Sequence, residues 1–169
     1  MVSSDPKKLI LVIGATGAQG LRVINALLAP SPDGTPSPYA VRAFTRNPQG
    51  QRSVELASKG IEVVQGMYPC NPIVSRTNHD ARCSGSQDDF ASVAAAFQGV
   101  YGAWVNTDGF TVGEAKETWE GIRIFELAKQ AGVRHYIWSN LDYISKVRSR
   151  QGRSVRRWLI TTPSLVDQL

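Results

Sequence analysis

Residues 9–20 read Leu-Ile-Leu-Val-Ile-Gly-Ala-Thr-Gly-Ala-Gln-Gly, and they carry the clearest indication of the fold class. Its first half, residues 9–13, is continuously apolar and partly β-branched, which predicts a strand buried on both faces. After the glycines, Leu21, Ile24 and Leu28 recur at helical spacing. A strand, a glycine-rich turn and a helix in this order are typical of the first unit of a parallel α/β sheet.

The same alternation of strand and helix continues along the chain. The patterns predict further strands at residues 39–45, 61–65, 100–105 and 133–138, and helices at residues 18–29, 51–59, 88–97 and 114–131. Because each crossover is long enough for a right-handed connection, we expect an α/β fold with a doubly wound parallel sheet of about five strands. The predicted strand order is 3-2-1-4-5, as in Rossmann-like domains, with helices on both faces.

Length and composition indicate one globular domain. The chain has 169 residues, of which 42% are hydrophobic and 20% are charged, so it is too apolar to be disordered as a whole. It contains no apolar run of the length that a membrane span needs, and its start lacks a signal-peptide pattern. We therefore expect no membrane partner and a cytoplasmic location, with the nucleus as an alternative.

The glycine-rich turn is a candidate site for a dinucleotide. In a G-x-x-G-x-x-G turn between a strand and a helix, the first glycine permits the tight turn and the second lets the backbone approach a pyrophosphate. The third glycine allows the helix and the strand to pack closely, and the free N–H groups of the helix start face the phosphates. The alternative is a glycine turn that binds nothing. The candidate cofactor-binding residues are Gly14, Ala15, Thr16, Gly17, Ala18, Gln19 and Gly20.

The end of the second strand favours NADP(H) over NAD(H). A site for NAD usually has an acidic residue there that binds the ribose 2′-hydroxyl, whereas a site for NADP has a cation for the 2′-phosphate. Here the strand ends in Thr45, Arg46 and Asn47, and no carboxylate follows until Glu55. A guanidinium suits a phosphate because its planar fork can donate two parallel hydrogen bonds. The alternative is a solvated arginine at a strand end.

Polar side chains also follow the fourth and fifth strands. Asn106 and Thr107 come after the fourth strand and Ser139 comes after the fifth. Because open α/β sheets bind ligands at the carboxyl ends of their strands, Asn106 and Thr107 are candidates for lining the cofactor, and Ser139 for facing the nicotinamide. Ordinary turn and capping roles are the alternative for all three residues.

As a set, these motifs resemble the NmrA-like family of atypical short-chain dehydrogenases, in a fungal form. The resemblance is carried by residues 14–20, 41–48, 60–66, 102–110 and 139–143. It implies a Rossmann domain that binds NADP(H), here at residues 7–146, with Gln87 in the turn that flanks the adenine. It also implies redox-sensing regulators, some of which act on transcription through a regulatory protein partner. The alternative that it implies is an NADPH-dependent reductase of the isoflavone-reductase-like type.

The sequence leaves catalysis open. Short-chain dehydrogenases generally need Y-x-x-x-K, but Tyr143 and Lys146 are three positions apart and Tyr136 is followed at the fourth position by Asn140. A spacing of three places the lysine on a different part of a helix face. Ordinary dehydrogenase catalysis is therefore not expected. A reductase that uses Tyr143 or Lys146 is the alternative, and a truncated product without function is another.

Residues 67–85 form an irregular insert relative to the family. Cys70, His79 and Cys83 match no usual zinc-ligand spacing and lack an evident fourth ligand, so no metal site is expected. A translated intron is a sharper explanation, since residues 66–68 can be encoded by GGTATGTAY, which contains a fungal-type splice donor. Sequencing the transcript tests it.

Residues 147–169 form a basic tail of doubtful structure, where the family continues into a second lobe that we expect to be missing here. The tail carries a net charge of +4 and the insert a net charge of +1, which together account for the whole formal charge of +5. The tail has arginines and Trp158 but no recognisable reading motif, and it is a second candidate for translated intron sequence. Direct nucleic-acid binding is therefore not expected.

Overall fold

The computed structural model describes residues 6–66, 90–107 and 114–139. Within these ranges strands and helices alternate, as the sequence predicts. The elements are β1 (Lys8–Ile13), α1 (Ala18–Leu28), β2 (Tyr39–Thr45), α2 (Gln51–Ser58), β3 (Glu62–Gln65), α3 (Phe90–Ala96), β4 (Gly102–Val105), α4 (Glu114–Gln130) and β5 (His135–Trp138).

The five strands form one parallel sheet in the order β3-β2-β1-β4-β5, which confirms the predicted topology. At the carboxyl edge, Ile13 pairs with Phe44 of β2 and with Val105 of β4, and Val105 pairs with Trp138 of β5. The chain segments that follow these four strands therefore leave the sheet side by side. The order of the strands reverses between β1 and β4, which is where ligands bind in folds of this type.

The core lies on both faces of the sheet. Successive side chains of β1 alternate between two clusters, because side chains along a strand point to opposite faces. Val12 packs with Ile24 of α1 and its neighbours, whereas Ile13 packs in the cluster that contains Phe97 and Ile124 of the α3 and α4 side. The prediction of helices on both faces is therefore confirmed.

Three strands, β3, β4 and β5, begin later than predicted. For β3 and β5 the reason is that the first predicted residues are hydrogen-bonded to the preceding helix. Gly60 adopts a left-handed conformation with φ of +78°, and the Ile61 N–H donates to the carbonyl of Leu56 at 3.2 Å. The Val133 N–H likewise donates to the carbonyl of Ala128 at 3.0 Å. These bonds close the C-termini of α2 and α4, as in the Schellman motif, so β3 and β5 start after them.

Several expectations concern residues outside the described ranges. These are the insert at 67–85, the tail at 147–169 and the start of the third helix at residues 88 and 89. In the part of the chain that the structure describes, no helix has the length and apolarity to cross a membrane.

Tyr136 on β5 brings a hydroxyl into the core beneath α4. Its ring lies edge-on to Phe125 at a centroid distance of 5.3 Å. The hydroxyl oxygen is buried and has no hydrogen-bond partner among the described residues. Burial raises the pKa of the Tyr136 hydroxyl above its ordinary value, because the phenolate loses its hydration there.

Tyr136→Phe should therefore stabilise the domain at neutral pH by about 1 kcal/mol, since it removes a buried polar group that has no partner among the described residues. In the wild type, the unfolded tyrosine ionises near pH 10 while the folded one resists ionisation. The free energy of unfolding therefore keeps its full contribution from Tyr136 below about pH 10 and falls as the pH rises above that value. Tyr136→Phe should lose less stability than the wild type in this alkaline range.

Urea unfolding at pH 7 and pH 10.5 measures both effects. Tyr39→Phe is the matched control, because Tyr39 is a half-buried residue at the start of β2. A variant less stable than the wild type at pH 7, with the same alkaline loss, contradicts this account of Tyr136.

Candidate functional site

The glycine-rich turn after β1 has the geometry of an anion-binding turn. Gly14 has a φ of +80°, and its carbonyl accepts a hydrogen bond from the Gly17 N–H at 3.0 Å. Gly17 is the N-cap residue of α1, with no side-chain cap and no acidic residue in the first helical turn. The first amides of a helix lack acceptors within the helix, so those of α1 can bind an anion.

The third glycine allows the close approach of α1 to β1. A Cβ atom on Gly20 would lie 2.3 Å from the Gly14 carbonyl oxygen and 2.9 Å from the Ala15 Cα. Among the described residues, a Cβ atom on Gly17 would meet only the Gly14 carbonyl oxygen, at 3.2 Å. Gly14 thus has the positive φ that the tight turn needs, and Gly20 lies where helix and strand approach closely. The roles of all three glycines at a pyrophosphate stay predictions.

The segment after β2 is held in a fixed turn. The Thr45 hydroxyl, on a buried side chain, accepts the Asn47 N–H at 3.3 Å, and the Asn47 Oδ1 accepts the Gln49 N–H at 3.2 Å. The Asn47 carbonyl accepts the buried Ser53 hydroxyl at 2.6 Å. Thr45 and Asn47 therefore shape the turn, and Arg46 between them is exposed.

The ends of β1, β4 and β5 are tied to one another and to α1. The Asn106 N–H donates to the carbonyl of Ile13 at 3.2 Å, and the Ser139 N–H donates to the carbonyl of Val105 at 2.8 Å. The Ser139 hydroxyl then donates to the Gln19 Oε1 at 2.7 Å. Three predicted cofactor residues, Gln19, Asn106 and Ser139, are thus brought to the same edge of the sheet.

Thr107 is part of a buried network that the sequence did not reveal. Its hydroxyl donates to the Glu117 carboxylate at 2.6 Å and accepts the Trp138 indole N–H at 3.1 Å. The indole lies so close to α4 that a Cβ atom on Gly121 would be 2.2 Å from it. Thr107 therefore fixes β4, β5 and α4 together, and its contact with a cofactor stays a prediction.

A further contact missed from the sequence joins α2 to the glycine-rich turn. The Arg52 Nη1 donates to the carbonyl of Thr16 at 2.9 Å. One sequence feature could have pointed to this contact. Arg52 lies in the first turn of a predicted helix, where the helix dipole disfavours a cation unless it has another role.

Other predicted site residues lie outside the described ranges. They are Gln87, Tyr143 and Lys146. Cys70, His79 and Cys83 of the insert, where no metal site is expected, also lie outside those ranges. Among the residues that the structure does describe, no group of three or more His, Cys, Asp or Glu side chains could hold a metal ion.

The parallel sheet, its strand order and the close-packed glycine turn define a Rossmann-type α/β domain. The family model of the NmrA-like family matches residues 6–158. The chain belongs to the NmrA-like family.

Fungal relatives are similar to this chain over most of its length. The NmrA-like family domain-containing oxidoreductase hkm9 of Aspergillus hancockii is 34% identical over 137 residues, which cover 79% of this chain and 33% of that protein. The corresponding figures for lnaB of Aspergillus flavus are 33% over 142 residues, with 81% of this chain and 35% of that protein covered. This chain spans about a third of the length of the curated relatives it matches.

Solved structures give the same picture of the fold. The negative transcriptional regulator NmrA superposes with a TM-score of 0.58 at 25% identity, covering 83% of this chain and 35% of that chain. A crystal structure of NmrA in complex with NADP gives 0.55 at 26% identity, covering 84% and 36%. The NADPH-dependent quinone oxidoreductase QOR2 of Escherichia coli, complexed with NADPH, gives 0.51 at 25% identity, covering 76% and 35%.

The packing around the turn predicts different costs at its two helix-proximal glycines. Gly20→Ala should lower the free energy of unfolding by about 1–3 kcal/mol, because its Cβ overlaps backbone atoms that cannot move aside. Gly17→Ala is the matched control and should lose less than about 1 kcal/mol, since Gly17 has ordinary negative φ and a milder contact. Urea unfolding of both variants measures the difference. Equal losses would contradict the packing role of Gly20.

Proposed function

We propose that the chain binds NADP(H) across the carboxyl edge of its sheet and acts as an NmrA-like redox-sensing or regulatory protein, without ordinary dehydrogenase catalysis. The observation that carries the proposal is the close-packed turn of Gly14, Gly17 and Gly20 at the point where the strand order reverses. In Rossmann folds the pyrophosphate of a dinucleotide occupies this place. The complexes of NmrA with NADP and of QOR2 with NADPH support the same ligand class.

The residues beside the glycine-rich turn support the binding of an extended ligand. Gln19 and Ser139 meet at one side of the turn, and Asn106 packs against Gly14, where a Cβ atom would lie 3.3 Å from the Asn106 Cβ. These groups offer amide and hydroxyl hydrogen bonds next to the first amides of α1. A pyrophosphate over the turn would place the nicotinamide half of the cofactor toward Asn106 and Ser139.

Arg46 supports NADP(H) in preference to NAD(H). It lies two residues after Phe44, which is in register with Ile13 at the end of β1, and it is exposed. No carboxylate occurs from residue 45 to residue 54, so the acidic partner that a ribose 2′-hydroxyl usually has in NAD sites is missing from this segment. A guanidinium at this position can bind a 2′-phosphate with two parallel hydrogen bonds.

The case against ordinary dehydrogenase chemistry rests on tyrosine and lysine spacing. The sequence lacks Y-x-x-x-K, and Tyr143 and Lys146 are three apart. Tyr136, on β5, is unsuited to give up a proton, because burial raises the pKa of its hydroxyl. We therefore propose a regulatory role through a protein partner, in the cytoplasm or the nucleus, without direct contact to nucleic acid.

An NADPH-dependent reductase is the second candidate. The names of hkm9 and lnaB as oxidoreductases and the similarity to QOR2 favour it. Tyr143 and Lys146 would be its catalytic candidates.

Titration with NADP⁺ and NAD⁺ by isothermal calorimetry tests the cofactor. The wild type should bind NADP⁺ at least about tenfold more tightly, a difference of about 1.4 kcal/mol. Arg46→Glu should abolish or reverse that preference, because it replaces the phosphate-binding cation with an anion. Arg123→Gln on α4 is the control for loss of an exposed arginine. Equal affinities in the wild type, or an unchanged preference in Arg46→Glu, would overturn the assignment.

Incubation with NADPH and a panel of carbonyl and quinone compounds separates the regulator from the reductase. The regulatory proposal expects no consumption of NADPH at 340 nm above the rate without protein. Turnover by the wild type that is lost in Lys146→Ala would establish the reductase instead.

A further inference from the structure

We infer that Arg52 is a second specificity-determining residue of the nucleotide site, and that it forms with Arg46 a two-arginine site for the 2′-phosphate of NADP(H). This inference rests on the proposed function and deepens it. The juxtaposition that carries it is the contact of Arg52, at the start of α2, with the carbonyl of Thr16 in the glycine-rich turn.

The sheet register brings the two segments together. Ile13 and Phe44 are paired in β1 and β2, and neighbouring strands lie about 4.8 Å apart. Thr16 comes three residues after Ile13, and Arg46 comes two residues after Phe44. The turn that holds the phosphates and the strand end that meets the adenosine ribose thus leave the sheet side by side.

The turn between β2 and α2 fixes the direction from which the Arg52 side chain approaches Thr16. The Asn47 carbonyl accepts both the Gly50 N–H at 3.2 Å and the hydroxyl of Ser53, which is 1% exposed. Arg52 precedes that buried serine in the first turn of α2. Its guanidinium spans from α2 to Thr16, across the gap between the two chain segments.

The charge on Arg52 has no partner of opposite sign in the described part of the chain. The single hydrogen bond to Thr16 goes to a neutral carbonyl, and no ion pair of Arg52 with a carboxylate occurs within those ranges. A cation in the first turn of a helix is also disfavoured by the helix dipole. An anion bound beside Thr16 would pair with the Arg52 charge and offset the unfavourable effect of the helix dipole.

The contact also changes what a ligand meets at the turn. A carbonyl oxygen at Thr16 would repel a phosphate dianion, whereas the guanidinium that covers it presents further N–H donors. A guanidinium has five N–H groups, and one of them is used for Thr16. Arg52 therefore converts an acceptor surface into a donor surface where the 2′-phosphate would lie.

A purely structural role of Arg52, in which it only connects α2 to the turn, leads to a different expected result. If Arg52 only held Thr16 in place, its removal would disturb the pyrophosphate site and weaken NAD⁺ and NADP⁺ equally. If Arg52 binds the 2′-phosphate, its removal weakens NADP⁺ selectively. The ratio of the two affinities distinguishes these roles.

The experiment measures dissociation constants of the full chain for NADP⁺, NAD⁺, 2′,5′-ADP and 5′-AMP by calorimetry. Arg52→Gln should weaken NADP⁺ and 2′,5′-ADP about tenfold, as expected for a lost charge-assisted hydrogen bond, and change NAD⁺ and 5′-AMP less than about twofold. Arg52→Lys should lose part of the preference, because it keeps the charge without the fork. Lys59→Gln, which removes one positive charge at the other end of α2, should bind like the wild type.

Equal weakening of NAD⁺ and NADP⁺ in Arg52→Gln, or wild-type affinity for both, overturns the inference. If the wild type prefers NADP⁺ and Arg46→Glu removes that preference while Arg52→Gln does not, the inference fails and the proposed function stands. If the wild type binds neither dinucleotide, or binds both equally, the proposed function fails and the inference falls with it.

Discussion

The close packing of α1 against the end of β1 positions the other elements at the carboxyl edge of the sheet. Gly20 lies so near the Gly14 carbonyl that no side chain fits between them, and Gly14 itself needs a positive φ. Because α1 starts at this distance, its first amides point over the carboxyl edge of the sheet. The same edge receives the ends of β2, β4 and β5, so in our proposal the position of this helix sets where the dinucleotide binds.

The residues around that edge form two groups. Gln19, Asn106 and Ser139 join the glycine turn to the ends of β4 and β5, and behind them Thr107 connects to Glu117 and Trp138. On the other side, Arg46 and Arg52 flank the turn that Asn47 holds in place. In our proposal the first group faces the nicotinamide half of NADP(H), and the second faces the adenosine half.

The fold was predictable from the sequence because the residue patterns that specify its strands, turns and helices are local. A buried strand, a glycine turn and an amphipathic helix repeat along the chain, and their alternation restricts the strand order to few possibilities. The exact strand starts were not predictable, since Ile61 and Val133 are apolar residues whose amides complete the caps of the preceding helices. The contacts of Arg52 with Thr16 and of Thr107 with Glu117 depend on how separate elements meet, which no local pattern encodes.

Membership of the NmrA-like family agrees with this geometry, and the proposed cofactor connects the two groups of residues. The most direct measurement is a crystal structure of the chain grown with NADP⁺. We expect a pyrophosphate over the first amides of α1 and a 2′-phosphate in contact with both Arg46 and Arg52. A dinucleotide bound away from the glycine turn, or a 2′-phosphate that contacts neither arginine, would contradict it.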